Sequence, residues 1–435
     1  MNQLLKEKQV LPIDSKDNCV VEKFLGSGGQ GEVYQVSLQG QFYALKWYYP
    51  KMATAEQKAG LENLIRIGAP NNKFLWPKFL LTHPDNNTFG YIMPLRLPQY
   101  KGINDLMRRR VEPSFKALAL AGVHLANSFL KLHAKGLCYR DISFGNLFFD
   151  PITGDIQICD NDNVTTNLDP FVSILGTPRF TAPEIVRGEA HPSTSTDLFS
   201  LAVLMHYMLF VHHPLEGAQE AKIHAFDLPA MTNLYGKNPI YIYDPINITN
   251  RPVPGLHDNA IEFWKTYPTF IKQVFIDAFT IGLNPNTRVM ETVWRDNMAR
   301  LRDSLIYCSC GAENFHDSTI YESTGRTTIC WSCRKPTTLP PRLKVGKFLI
   351  MLNADTMLYP FHVDNSIGCE YSNQIAKVSQ HPTNKNLWGL QNLSKDKWTV
   401  MTAEGAITEV MSGKNVSLIN GIKINFGKTE GEIKI

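Results

Sequence analysis

Tyr139-Arg140-Asp141-Ile142-Ser143-Phe144-Gly145-Asn146 sets an arginine before an aspartate and an asparagine five residues after that aspartate. At this spacing one loop presents a carboxylate that can accept a hydroxyl proton and a carboxamide that can hold a metal ion. Asp and Asn also co-occur in ordinary loops, so the order of other motifs decides the reading. Gly26-Ser27-Gly28-Gly29-Gln30-Gly31 lies upstream, Ala182-Pro183-Glu184 downstream, and a clustered cysteine pattern beyond both.

The chain has 435 residues, too many for one compact core, and about 150 residues per domain suggests two to four domains. A hydrophobic fraction of 43% and a charged fraction of 19% are those of globular protein. The net charge of +4 is small for this length, which argues against a large basic face and so against nucleic acid as a partner. The N-terminal residues lack the apolar core and cleavage site of a signal peptide. Leu198–Val211, the most apolar stretch, contains Ser200 and His206; it is too short to span a bilayer and reads as a buried helix, so no membrane association is expected. Cys19, Cys138, Cys159 and Cys369 are scattered, whereas the other four are clustered as if for metal. A reducing, cytoplasmic location follows.

Residues 20–100 read as β-rich, with a hairpin of Val33–Leu38 and Phe42–Lys46 about a Gln39-Gly40 turn, and one helix over Glu56–Ile67. From Pro113 to Leu305 the apolar period is helical, over Phe115–Ala134, Ser195–Phe210, Ala260–Leu283 and Val289–Leu305. Cys308–Cys333 is a compact cysteine unit. Arg334–Arg342, with Pro336, Pro340 and Pro341, reads as a semi-rigid linker. Leu343–Ile435 consists of short apolar runs broken by Asn, Gly and Lys, expected to form a small all-β domain.

The glycine run fits G-x-G-x-x-G-x-V, a spacing shared with dinucleotide-binding turns. A dinucleotide fold needs a helix after the glycines; here an alternating strand pair follows, which favours a hairpin lid over phosphates. Lys46 ends the next strand, in position to grip the α- and β-phosphates. Glu62 on the following helix is expected to pair with it, because Leu64, Ile65 and Ile67 mark the buried side; Glu56 is the rival.

Taken together, these residues resemble the eukaryotic-type (Hanks-type) Ser/Thr protein kinase family over about residues 20–305. The resemblance implies an α+β, bilobal fold: a β-rich N-lobe over about 15–95 and a helical C-lobe over about 96–305. It implies Asp141 as catalytic base, with Lys46, Glu62, Asn146 and Asp160 completing the catalytic set and Mg²⁺ held by Asn146 and Asp160. The ATP site would comprise Leu25, Gly26, Ser27, Gly28, Gly29, Gly31, Val33, Ala44, Lys46, Met93 and Phe148. Glu184 and Arg288 resemble the family's structural ion pair, and Asp197 would hold the catalytic-loop backbone. Thr165, Thr166, Ser173 and Thr177 are the hydroxyls an activation loop would offer for phosphorylation, with Arg140 as the sensor.

Three departures stand out. Tyr139 replaces the usual histidine, as packing. Asp160-Asn161-Asp162 replaces Asp-Phe-Gly, making Asp162 an alternative metal ligand. Ser143 replaces the lysine that stabilises the transferring phosphoryl group, which motivates a rival reading as a nucleotide-binding scaffold without transfer. A second rival, a nucleic-acid adaptor built on the cysteine unit, lacks the clustered basic residues it needs.

Cys308-Ser309-Cys310 and Cys330-Trp331-Ser332-Cys333 supply two close pairs suited to tetrahedral Zn²⁺, a zinc ribbon over 306–335. His316 is a spare-ligand candidate that reads rather as a surface residue, and the ribbon reads as a spacer. Residues 343–435 resemble a forkhead-associated domain, on Lys377–His381, Trp388–Leu393, Val416–Leu418 and Ile424–Gly427. That family reads phosphothreonine through an Arg and a Ser. Ser379 can stand for the serine, but no arginine follows Arg342, so docking by a degenerate β-sandwich is expected. Kinase, ribbon and sandwich in this order resemble bacterial kinases of tellurium-resistance-like systems. That resemblance implies as partners a protein substrate, a von Willebrand A-type protein and a metal-dependent protein phosphatase.

Overall fold

The computed structural model describes residues 3–13, 17–82, 88–167 and 176–435. Six antiparallel strands open the chain: β1 (Val10–Pro12), β2 (Asn18–Ser27), β3 (Gly31–Leu38), β4 (Gln41–Tyr48), β5 (Phe79–Thr82) and β6 (Phe89–Pro94), in the spatial order β1-β2-β3-β4-β6-β5. The β3–β4 turn places Gln39 at φ 50° and Gly40 at φ 77°, the pair of positive φ values that suits a two-residue hairpin to the twist of its strands. Strand alternation sends Tyr34, Val36, Leu45 and Trp47 into one core with Val21, Leu81 and Ile92. Helix α1 (Ala55–Ile67) starts at Thr54, whose hydroxyl accepts from the Gln57 amide, and ends at Gly68 in positive φ. Its buried residues are Leu61 and Leu64.

The described chain forms two compact units. The first comprises Met1–Pro113, His124–Val253 and Ala278–Glu291; the second comprises Ser114–Val123, Pro254–Asp277 and Thr292–Ile435. In the first, the helix Thr194–Phe210 starts at a capping box between Ser193 and Thr196 and buries Thr196–Phe210 continuously, His206 included. No helix among the described residues is long and apolar enough to cross a membrane.

Ala260–Leu283 forms two helices rather than one, Asp258–Thr266 and Thr269–Phe279. Pro268 removes an amide donor and drives Tyr267 into extended backbone (φ −78°, ψ 147°), which ends the first helix. Beyond Arg342 the second unit is sheet-rich. A six-stranded and a four-stranded sheet share a core of Leu343, Ile350, Leu390, Trp398, Ile424 and Ile433, with one helical turn at Pro360–Val363. The expected linker is tied down at its start: Thr337 is buried and bonds back to Thr328, and Ile329 bridges Pro336.

The cysteine unit is not a detached spacer. Phe315 is buried, stacked on Tyr267 with centroids 5.3 Å apart and tilted against Phe115 at 5.1 Å. Asp317 accepts hydrogen bonds from both the amide and the hydroxyl of Thr269, each at 2.7 Å. His316 is buried, with its amide bonded to the Ser304 carbonyl and its ring against Tyr321, so it is not a surface residue. The helix Glu291–Asp303 presents Arg302 to the faces of Tyr359 and Tyr371, and Asp303 lies 3.3 Å from His362 Nε2. Burying these charged groups among aromatic rings commits the helix to its covering.

Candidate active site

The glycine loop joins β2 to β3, closed by the Gly28 amide on the Gly31 carbonyl at 2.9 Å. A Cβ on Gly31 would come within 2.2 Å of the Trp47 carbonyl oxygen, so strand packing alone demands glycine there. A Cβ on Gly26, Gly28 or Gly29 would meet no protein atom within 4 Å. Packing therefore does not require glycine at these three positions. Behind the loop, Ala44 pairs with Met93 across β4 and β6, and both are buried. Phe148 carries the Arg96 guanidinium 4.1 Å above its ring. Leu25 remains exposed at the edge of β2.

Lys46 is buried, and its ammonium reaches Asp162 Oδ2 at 2.8 Å, Gln30 Oε1 at 2.7 Å and Asp160 Oδ1 at 3.7 Å. Burial opposes its charge, but the two carboxylates prevail and raise its pKa. The expected glutamates are not at this site. Glu62 is exposed on α1, and Glu56 is exposed in its first turn, next to the Thr54 cap. Gln57, Leu61 and Leu64 form the inner face instead, and Gln57 Nε2 donates to the Tyr48 hydroxyl at 3.0 Å.

Asp160 and Asp162 occupy contrasting settings. The Asp162 side chain has no exposure and accepts from Lys46, from the Tyr48 hydroxyl and from the Tyr91 hydroxyl at 3.0 Å. Burial would raise its pKa, yet these donors hold it below the usual carboxylate range. Asp160 adopts the left-handed region (φ 47°, ψ 45°) and keeps 42% of its side chain exposed. Desolvation, then the nearby Asp162 and Asp141 carboxylates, push its pKa up against the pull of Lys46. With so much of the side chain in solvent, the like-charge crowding is the firmer cause. A cation would relieve that crowding, so the donor set at Asp160 and Asn146 fits a hard divalent ion.

Asp141 accepts from Asn146 Nδ2 at 3.0 Å on one oxygen and from the Thr177 hydroxyl at 2.8 Å on the other. Asp197 supports this loop from below, accepting the Tyr139 and Arg140 amides and the His133 ring. His133 is held in turn by Glu291, and the two acids raise its pKa to about 9 despite its burial. Arg140, at φ 72°, donates to the Asn163 carbonyl. The Tyr139 ring packs edge-on to Phe129, and its hydroxyl donates to the Cys159 carbonyl, a polar role beyond packing. Two non-glycine residues in positive φ, Arg140 and Asp160, thus flank the loop, and such strain costs on the order of 1–3 kcal/mol each. Ser143 is buried. Thr165 and Thr166 pair with Leu137-Cys138 in a two-stranded ladder, while Ser173 lies outside the described residues. Arg288 donates two bonds of 2.7 Å to the Glu184 carboxylate, and both residues are buried.

Sequence reasoning missed Tyr48, Tyr91, Gln57, Gln30, His133 and Glu291. Each is an ordinary strand, helix or loop residue by type. The acid in the third position of Asp160-Asn161-Asp162 was the one visible sign of the altered lysine site.

The protein kinase domain family matches residues 19–266, more than half of the chain, and the chain therefore belongs to the protein kinase family. It is similar to protein kinase MCK1 of Saccharomyces cerevisiae, 26% identical over 200 residues (44% of this chain, 53% of the relative). It is also similar to protein kinase gsk31 of Schizosaccharomyces pombe, 26% identical over 283 residues (60% and 73%). Protein kinase C delta type of Rattus norvegicus is 26% identical over 218 residues (48% and 31%). The chain thus spans 53%, 73% and 31% of these relatives' lengths.

In the second unit, the Sγ atoms of Cys308, Cys310, Cys330 and Cys333 all lie within 4.8 Å of one another, the metal-ready group found among the described residues. Cys308 and Cys333 are 3.5 Å apart, Cys310 and Cys330 3.7 Å. A tetrahedral ZnS₄ centre with ~2.3 Å bonds has sulfur atoms about 3.8 Å apart, so the spacing fits. The hairpin Leu305–Tyr307 with Glu313–Phe315 carries the first pair, and Asn314 Nδ2 stands 3.5 Å from Cys330 Sγ. Burial notwithstanding, amide donors from Cys333 and Ser332 together with Asn314 draw the Cys330 thiol down to about 6, while, against the Lys335 amide, the neighbouring cysteine side chains push Cys333 up to about 11.

Proposed function

We propose that this protein is a kinase that transfers the γ-phosphoryl group of ATP to a Ser or Thr hydroxyl of a protein substrate. The observation that carries the reading is the Asp141 carboxylate, which already accepts a threonine hydroxyl at 2.8 Å while Asn146 fixes its other oxygen. Asp141 would take the proton from the acceptor hydroxyl as that oxygen attacks phosphorus; Lys46 would orient the α- and β-phosphates. Asn146 and Asp160 would hold Mg²⁺, which when bound supplies charge neutralisation at the phosphate oxygens. The Thr177–Asp141 bond favours Ser/Thr acceptors, because it sets the acceptor segment against the base. The same bond supports reading Thr177 as a positioning residue beside its candidacy as a phosphosite.

The domain reading accompanies this proposal: a kinase domain over 15–305, a structural zinc ribbon over 306–335 and a forkhead-associated-like sandwich over 343–435. A cytoplasmic location rests on the cysteine usage, and bacterial signalling beside a von Willebrand A-type protein and a metal-dependent phosphatase rests on the resemblance in domain order. Ser379, bonded to Asn415 at 2.7 Å, has no arginine neighbour in the sequence to complete a phosphothreonine site. A scaffold that binds nucleotide without transfer is the second reading, favoured by Ser143 and by the Gln30 amide oxygen on the Lys46 ammonium. Incubation with γ-labelled Mg-ATP, followed by mass spectrometry of the chain and of a Ser/Thr peptide mixture, separates the two. Label on serine or threonine supports the kinase; nucleotide binding without label supports the scaffold.

A further inference from the structure

Asp162 lies in the position where the family carries glycine, and the roles open to a carboxylate there are metal ligand and lysine partner. Its geometry separates them. A metal ligand needs lone pairs directed at an accessible space, as Asp160 has with 42% of its side chain exposed. Asp162 has none to spare in that direction. One oxygen receives Lys46 and Tyr48, the other receives Tyr91, and the side chain is wholly buried.

Tyr48 is the connection to α1. Its hydroxyl donates to Asp162 and accepts from Gln57 Nε2 at 3.0 Å, which gives the order Gln57–Tyr48–Asp162–Lys46. The only charged members are the lysine and the aspartate, and the helix enters through a neutral amide. Glu56 and Glu62, the two α1 acids that could have formed an ion pair, are both exposed. We propose that Asp162 is the positioning residue that aims Lys46 at the nucleotide phosphates in place of a helix glutamate, with α1 coupled through Gln57 and Tyr48. The lysine clamp and the metal carboxylate Asp160 then belong to one short segment, Asp160–Asp162. Displacing α1 breaks a neutral hydrogen bond, leaving the lysine's ion pair intact.

This inference rests on the nucleotide-binding part of the proposed function, and its test is read without phosphoryl transfer. Binding of a fluorescent ADP is measured once in EDTA and once across a Mg²⁺ titration. Losing a charge-assisted bond to Lys46 should weaken metal-free ADP binding by Asp162→Asn about tenfold or more. Mg²⁺ enhancement of binding should stay within roughly twofold of wild type, whereas Asp160→Asn should shift that Mg²⁺ dependence by about tenfold. In the Asp162→Asn background, Lys46→Met should cost less than about twofold more, because the two act as a unit.

An Asp162→Asn protein that needs far more Mg²⁺ yet binds metal-free ADP normally would make Asp162 a metal ligand and overturn the proposal. So would Glu62→Gln causing the metal-free loss that Asp162→Asn does not. If Asp162→Asn fails to fold, Tyr48→Phe is read instead. It should weaken metal-free ADP binding about threefold by loosening Asp162, and unchanged binding would overturn the coupling. A wild-type chain that binds ADP but transfers nothing would sink the kinase reading while leaving these binding outcomes fully legible.

Discussion

Asp141 stands between two donors, so replacing its charge leaves the loop's shape largely in place. In Asp141→Asn the amide oxygen can still accept from Asn146 Nδ2 while its NH2 donates to the Thr177 hydroxyl, and the capacity to take a proton is gone. The expected result is loss of transfer by about 100-fold or more with ATP affinity within a few-fold of wild type. Undiminished autophosphorylation would remove Asp141 from its role. His133 offers a second test at this scale, through pH. Its pKa rises from 6.5 to about 9 because Asp197 and Glu291 outweigh burial, so the protonated ring favours the folded state. That contribution is fully present below pH 6.5 and is lost as pH climbs through about 9; a rise of this size is worth on the order of 3 kcal/mol. The melting temperature of wild type should therefore fall between pH 7 and 10 more steeply than that of His133→Gln. Parallel curves would show that His133 is not charged in the folded protein.

At the scale of elements, the bond between the short helix Pro183–Val186 and the segment at Arg288 is a buried ion pair in which one guanidinium nitrogen meets both carboxylate oxygens. Glu184→Ala strands the arginine, and breaking such a pair costs on the order of 3–5 kcal/mol, visible as a large drop in melting temperature. An unchanged melting temperature would contradict a buried, load-carrying pair. The element scale also shows what sequence could and could not disclose. Strand alternation and the Gln39-Gly40 turn disclosed the β3–β4 hairpin, because pleat and turn chemistry are local. The pairing of Asp141 with Asn146 was legible for a similar reason: the two share one loop, and their spacing is their geometry. The partner of Lys46 was not. A helical repeat says which residues share a face, but rotation of α1 against the sheet is set by packing. The run Leu64, Ile65, Ile67 suggested one inner face, whereas Gln57, Leu61 and Leu64 form it and leave Glu62 outside. Hydroxyl partners such as Tyr48 and Tyr91 carry no sequence signal, since a strand tyrosine looks the same whether it packs or donates.

At the scale of the molecule, the second unit gathers segments from both sides of Leu305 around shared side chains. Two consequences are testable. The four cysteines should carry about one zinc per chain, and replacing any one of them should deplete it, read by elemental analysis. Because the knuckles order a short hairpin with little apolar content of its own, chelation should unfold the region that presents Phe315. Phe315 in turn covers Phe115 and Tyr267, and Asp317 closes the first turn of the helix Thr269–Phe279. Phe315→Ala should then cost roughly 3–5 kcal/mol, the range for emptying a buried aromatic site. A chain ending at Leu305 loses all of these contacts at once, and it also uncovers Arg302 and Asp303 by removing Tyr359, Tyr371 and His362. The spacer reading of the sequence expects that fragment to keep its ATP turnover unless the ribbon packs on the last kinase helix and stabilises it. The packing in the second unit expects the opposite: a fragment with a much lower melting temperature and exposed apolar surface that binds a hydrophobic dye. A truncated chain that melts like the full protein would restore the spacer reading of the ribbon and remove any structural role for its contacts with Tyr267 and Thr269.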